Sequence, residues 1–296
     1  MQDMLIRKKA LKIQERLGMR IGIAYGTRKT PVVKNVPDVL SVLKDLYRIG
    51  IRAFMMPAEM FDNVKDSNDL YNVHYGQLLS VKELASKFNI ELSIHMEKFP
   101  DSPDELDNRL KLLTNISSIM DCRIFIVQPT LYKRMPQDQA LKLVVYKINE
   151  IIVGARTKGT IGIETTGSIN DLGSLEDVID IVKRTQSTEV ILNWGNIHGR
   201  GSGALRTQAD YRRILDQTRA SVGQQWLGSS YFVFSGVSYG PSGKTRIVPF
   251  SRADMNLEHL IREIMSLNMK GTIIFDDPDK DKFILDMLDR FGDMVR

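Results

Sequence analysis

Eight times along 296 residues a short apolar run gives way to a longer stretch with helical periodicity, and this alternation constrains the fold more than any other feature. The apolar runs fall at 20–25, 51–56, 90–94, 123–127, 160–164, 189–193, 231–234 and 272–276. They are continuous rather than alternating, which is the pattern of strands buried on both faces in a parallel sheet. Helical stretches follow at 37–49, 75–88, 104–120, 137–155, 174–184, 208–220, 257–267 and 282–291. In the first of these, Val39, Val42, Leu43, Leu46 and Tyr47 share one face and Gly50 closes it. Ser102 or Asp104 is placed to cap the third, and Ser174 opens the fifth in capping-box fashion. Eight such units match a closed (β/α)8 TIM barrel. An open doubly wound sheet would be expected to begin with a glycine-rich first turn, and Tyr25-Gly26-Thr27-Arg28 lacks one. The expected organisation is an N-terminal helical extension over residues 1–19 and a single TIM-barrel domain over 20–296.

The lone cysteine, Cys122, sits at the start of an apolar run and reads as a strand residue. It rules out a disulfide within the chain and a cysteine-rich zinc site. No apolar stretch is long enough to span a bilayer, and the first residues lack an apolar signal core. A soluble, cytoplasmic protein with no membrane partner is expected. The net charge of +5 permits a nucleic-acid or phosphate partner and fits a solvated basic surface equally well.

In a TIM barrel the site is built where the strands end. The apolar runs end at Tyr25, Met56, His95, Gln128, Glu164, Asn193, Val233 and Asp276. Most of these are polar, and a polar group at a barrel mouth has to be solvated, paired or ligated. Glu164, Asp276 and His95 are the candidate catalytic residues, with Gln128, Asn193 and Asn196 lining the pocket. The alternative is a hydrogen-bonded network that only holds the mouth. Two loops add chemistry. Residues 193–203 carry several glycines, whose backbone N–H groups could cradle an anion. They also carry His198, a candidate hydrogen-bonder within the loop, and Arg200, which could grip a phosphate. Residues 235–246 add Tyr239, Lys244 and Arg246, while Tyr132, Lys133 and Arg134 follow the fourth strand. Basic residues interleaved with tyrosines suit a nucleic-acid backbone, Tyr239 by stacking, although Tyr239 also reads as a packed loop anchor.

Four stretches carry a family resemblance: Ile163-Glu164-Thr165-Thr166-Gly167 running on to Leu172-Gly173-Ser174-Leu175-Glu176, Asn196-Ile197-His198-Gly199-Arg200, Phe234-Ser235-Gly236-Val237-Ser238-Tyr239 ahead of Val248-Pro249, and Asp276-Asp277-Pro278. Taken in order, they resemble endonuclease IV, the xylose-isomerase-like barrel that cuts DNA at abasic sites, and its archaeal branch in particular. The resemblance implies DNA repair and phosphodiester hydrolysis by three zinc ions held by strand-end histidines and carboxylates. Within that pattern His95 and Glu164 persist and the last glutamate is shortened to Asp276. Gln128, Asn193, Asn196 and Val233 stand where the resemblance expects histidine or aspartate, and Thr245 and Ile247 stand at the positions expected in the following loop.

Zinc prefers imidazole, thiolate and carboxylate, whereas amides are weak ligands and valine and isoleucine have no lone pair to give. The substitutions argue against three zinc ions. They leave room for at most one oxygen-preferring ion, Mg2+ or Mn2+, on Glu164, Asp276 and His95. Three readings follow. One is an endonuclease IV-like protein that binds abasic or damaged duplex DNA through Arg200, Tyr239, Lys244 and Arg246, with weak or no catalysis. Another is a single-metal phosphodiesterase. The last is a sugar or sugar-phosphate isomerase or epimerase, with Glu164 as the proton-transfer base.

Overall fold

The computed structural model describes residues 2–100, 102–130, 135–155 and 159–294. Tyr132, Lys133 and Arg134, expected on the rim, lie outside the described residues. Strands β1 (Met19–Ala24), β2 (Ala53–Pro57), β3 (Glu91–Met96), β4 (Ile124–Val127), β5 (Thr160–Glu164), β6 (Thr188–Asn193) and β7 (Ser230–Phe234) follow one another around a closed barrel. After a hairpin of β8 (Gly236–Gly240) and β9 (Gly243–Val248), β10 (Gly271–Phe275) pairs with both β7 and β1 and shuts the ring. Every pairing in the ring is parallel. The expected (β/α)8 barrel is therefore the fold.

Side chains alternate between the two faces of each strand, so the barrel has two apolar layers. Ala24, Ala53, Met55, Ile124, Ile126, Ile191, Tyr231, Val233 and Ile274 fill the interior. The opposite faces pack under the surrounding helices in a much larger cluster. Interior volume is tight: a Cβ added to Gly22 would sit 2.3 Å from Ile274 Cδ1. The same alternation points His95, Glu164, Asn193 and Asp276 inward, one step beyond the apolar filling. Polar side chains thus meet at the C-terminal mouth.

The helices start and stop for local reasons. Helix α1 (Gln2–Leu17) buries Ala10, Ile13 and Leu17. Its Gln14 accepts a hydrogen bond from the Ile21 N–H and donates to the Gly50 carbonyl, which ties α1 to the N-terminal ends of β1 and β2, away from the mouth. Helix α2 (Val36–Ile49) is capped by Asn35 and ends at Gly50, φ 83°, a left-handed position that favours glycine. One turn, α3 (Ser67–Asp69), precedes α4 (Tyr75–Phe88). Ser102 is the cap of α5 (Pro103–Ile119), and α6 (Gln137–Ala155) follows β4. In α7 (Leu175–Arg184) the capping box pairs Ser174 with Asp177. Then come α8 (Trp194–Arg200), α9 (Gln208–Val222), α10 (Leu257–Ser266) and α11 (Asp281–Met294). Among the described residues no helix is long and apolar enough to cross a membrane.

Two segments differ from expectation. Residues 194–200 are not an open glycine-rich loop but helix α8, with Asn193 as its N-cap. Their glycines do not present a cradle of N–H groups; they let α8 press against the hairpin. A Cβ on Gly195 would lie 2.3 Å from Ser235 Oγ, and one on Gly199 would lie 2.8 Å from Lys244 Cβ. Residues 236–248, expected as a loop, form the β8–β9 hairpin, which lies across the turn after β5 through the Lys244 N–H to Gly167 carbonyl bond of 2.9 Å.

Candidate functional site

Glu164, the last residue of β5, is fully buried and accepts three side-chain hydrogen bonds. Gln128 Nε2 donates to Oε2 at 2.6 Å, His95 Nε2 approaches Oε2 at 2.7 Å, and Asn193 Nδ2 donates to Oε1 at 3.0 Å. The Asn193 orientation follows from its capping role: its Oδ1 accepts from the Asn196 N–H at 3.0 Å, which leaves its NH2 for Glu164. Asn196 in turn donates to the Thr165 carbonyl at 2.8 Å and accepts from Lys244 Nζ at 2.9 Å.

The buried His95 and Glu164 form an ion pair when the imidazole is protonated. Burial alone would lower the histidine pKa, but the Glu164 charge and hydrogen bond outweigh it and hold the imidazole above its ordinary value. Burial alone would raise the glutamate, and the His95 charge with the bonds from His95, Asn193 and Gln128 reverse that, so its carboxyl sits below the usual range.

On its other nitrogen His95 meets Tyr25: Nδ1 and the phenol oxygen are 2.5 Å apart. Tyr25 ends the β1 run with φ 66°, a left-handed conformation that is costly for a residue with a Cβ. The bend lays its half-buried ring across the mouth. Burial, together with the charges of Asp276, Glu97, Glu164 and Glu59, keeps its proton on well above the usual phenol range. Lys280 Nζ stands 3.4 Å from the Ala24 carbonyl and 5.8 Å from the centre of the Tyr25 ring.

Asp276 follows β10 and is 9% exposed. No described residue donates a hydrogen bond to its carboxylate. Burial pushes its pKa up, opposed by the positive charges of Lys280, Lys244 and His95. A polar cavity of about 460 Å³ reaches this network at Gln128 and Asn196 and is lined further by Lys244, Lys98, Glu59 and Glu97. Gly167 and Gly199 make the slot for Lys244, since a Cβ on either would fall within 2.7 and 2.8 Å of the lysine Cβ.

The donor set does not fit a metal ion. Among the described residues no group of three or more histidine, cysteine, aspartate or glutamate side chains is arranged to hold one. His95 and Glu164 hold each other, and Gln128 and Asn193 aim N–H donors at the carboxylate oxygens where a cation would need lone pairs.

The rim residues divide. Arg200 turns its Nη1 inward to Thr166 Oγ1 at 3.1 Å, to the Asp171 carbonyl at 3.0 Å and to the Ser168 carbonyl, pinning the 166–171 turn onto α8. Nη1 is committed to these three acceptors. Tyr239 also works as an anchor. Its hydroxyl donates to Asp254 Oδ2 at 2.7 Å and accepts from Arg206 Nη2 at 2.5 Å, and its ring stands edge-on to His198 with centroids 5.2 Å apart. His198 Nδ1 accepts from the Leu205 N–H at 3.1 Å, so Nε2 carries the proton and donates to Asp254 Oδ1 at 2.8 Å. Lys244 projects into the cavity, and Arg246 is exposed on β9 opposite Ser238. Sequence reasoning gave no role to Tyr25 or Lys280. A bulky residue before glycine at a strand end was the one signal for Tyr25, and nothing local marks Lys280.

No protein-family model and no curated protein matches the chain. Solved structures do match it along nearly its whole length. SacUVDE is 13% identical with a TM-score of 0.67, covering 93% of this chain and 99% of that one. Endonuclease IV from Thermus thermophilus is 14% identical with a TM-score of 0.65, covering 93% and 99%. A xylose isomerase domain protein from Planctomyces limnophilus is 10% identical with a TM-score of 0.63, covering 94% and 98%. At such identities the likeness is one of fold, the (β/α)8 barrel that these structures share with the chain.

Proposed function

We propose that the barrel mouth binds the sugar–phosphate backbone of abasic or damaged DNA without a metal ion. The observation that carries this reading is Lys244. Its ammonium enters a polar cavity of about 460 Å³ and has only the neutral Asn196 amide as its hydrogen-bond partner among the described residues. A cation held in that way is available to a phosphate oxygen. Lys98 lines the same cavity and Arg246 is exposed on the adjoining hairpin, which sets further cations beside the carboxylates of Glu59, Glu97 and Asp171. Glu164, already ringed by three N–H donors, does not confront the ligand as a bare charge. The net charge of +5 and the likeness of fold to endonuclease IV agree with a DNA partner. The N–H donors around Glu164 do not suit a zinc ion that would activate water for hydrolysis.

Glu59, Glu97 and Asp171 also line the cavity and offer acceptors for sugar hydroxyls. This chemistry favours a free sugar phosphate as the second reading. Fluorescence anisotropy with intact duplex and with duplex carrying a tetrahydrofuran abasic analogue, both in EDTA, tests the first. Tighter binding of the abasic duplex, weakening steeply with salt, is expected. Equal or salt-insensitive binding sinks the DNA reading. Stabilisation by ribose 5-phosphate in a thermal melt, with no preference for the abasic duplex, transfers the site to the second.

A further inference from the structure

Resting on the reading that an abasic deoxyribose enters the mouth, we propose that the protein breaks the strand there by β-elimination, with Asp276 as the base. The mouth separates its two inner carboxylates by role. Glu164 is saturated by His95, Gln128 and Asn193. Asp276 receives no hydrogen bond from any described residue and keeps some solvent access. The uncommitted carboxylate is the one able to take a proton from a ligand. It is faced by positive charge from three elements: Lys280 from the segment after β10, Lys244 from β9 and His95 from β3. The negative Glu97 lies after β3.

The opened abasic sugar is an aldehyde at C1′, with an acidic hydrogen on C2′ and a phosphate ester on C3′. Asp276 takes the C2′ proton, and the C–H electron pair forms a C1′–C2′ double bond with negative charge on the aldehyde oxygen. Lys244 and Lys280, whose charges act on Asp276, and the Tyr25 hydroxyl, on which the Asp276 charge acts, are the groups available to stabilise that charge. Tyr25 is suited to donate, because its oxygen is backed by the His95–Glu164 pair and its strained backbone holds the ring across the mouth. When the carbonyl re-forms, the C2′–C3′ double bond appears, the C3′–O bond breaks and the phosphate leaves with the electron pair. Asp276 then returns its proton to solvent. No water, metal or redox partner is consumed. The products are an unsaturated aldehyde on one strand end and a 5′-phosphate on the other.

The test uses duplexes with a natural abasic site and with the tetrahydrofuran analogue, which has no aldehyde. Each is incubated in EDTA with the wild-type protein and with Asp276→Asn, and the products are read on a denaturing gel and by mass spectrometry. Expected are scission of the natural site to the unsaturated aldehyde, no scission of the bound analogue, and a rate lower by about 100-fold or more in the variant. Borohydride is expected to trap no protein–DNA adduct. Binding of the natural site without scission overturns this inference and leaves the binding reading standing. A 3′-hydroxyl product, undiminished cutting by the variant, or a borohydride-trapped lysine adduct also overturns it. Binding to neither duplex removes both proposals.

Discussion

His95 Nε2 and Glu164 Oε2 lie 2.7 Å apart at the inner end of the barrel mouth, with 3% and 0% of their side chains exposed. A buried ion pair of this kind is costly to break from one side, because the surviving charge is left without a partner. Glu164→Ala should therefore destabilise the fold by about 3–5 kcal/mol, since His95, Gln128 and Asn193 all lose their acceptor. Urea unfolding measures it. A loss under about 1 kcal/mol would mean that the pair is not formed.

The same pair sets a pH window. The His95 pKa is raised from 6.5, so its contribution is complete below that value and fades as pH climbs through the higher folded-state value. The Glu164 pKa is lowered from 4.5, so its contribution is complete above 4.5 and fades as pH falls through the lower folded-state value. The stability gap between wild type and His95→Gln should be widest between 4.5 and 6.5 and narrow on both sides. Urea midpoints of both proteins across this range and beyond it check the shape. A gap that keeps widening above neutral pH contradicts the pairing.

Asp276 should behave in the opposite sense. Its charge is buried without a hydrogen bond, and the cations around it do not fully offset that cost. Asp276→Asn is expected to leave the melting temperature unchanged or to raise it, with a gain of up to about 1 kcal/mol. A clear fall in the melting temperature would show a partner that the structure does not contain.

Lys244 and Arg200 should separate binding from folding. Lys244→Ala is expected to weaken DNA binding across sequences and to reduce the salt slope by about one. Arg200→Ala is expected to cost about 1–3 kcal/mol of stability, because it unpins the 166–171 turn. Anisotropy titrations at several salt concentrations and urea melts on both variants resolve the two effects.

These assignments show what the sequence carries and what it hides. The eight strands were legible because each is a run of apolar residues buried on both faces, and the helices because their apolar stripes are long. Most ends fell within a residue or two. Glu164, His95, Gln128 and Asn193 were legible as a group because strand ends converge in a barrel. Their mutual saturation was not legible, since it depends on which way each amide turns, and Asn193 is turned by capping α8. The α8 helix was hidden by its glycines, which look like an open loop and serve close packing. The hairpin was hidden because β8 and β9 are short and partly exposed, although Gly240-Pro241-Ser242-Gly243 is a turn signal. Tyr25 and Lys280 meet only in three dimensions, across β1 and the segment after β10.

Elemental analysis of protein purified without chelator tests the central claim most directly, because His95, Gln128 and Asn193 occupy the positions around Glu164 that a cation would need. Zinc, manganese and magnesium should each be found far below one ion per chain. One or more bound ions per chain, lost together with the DNA binding on dialysis against EDTA, would contradict the account.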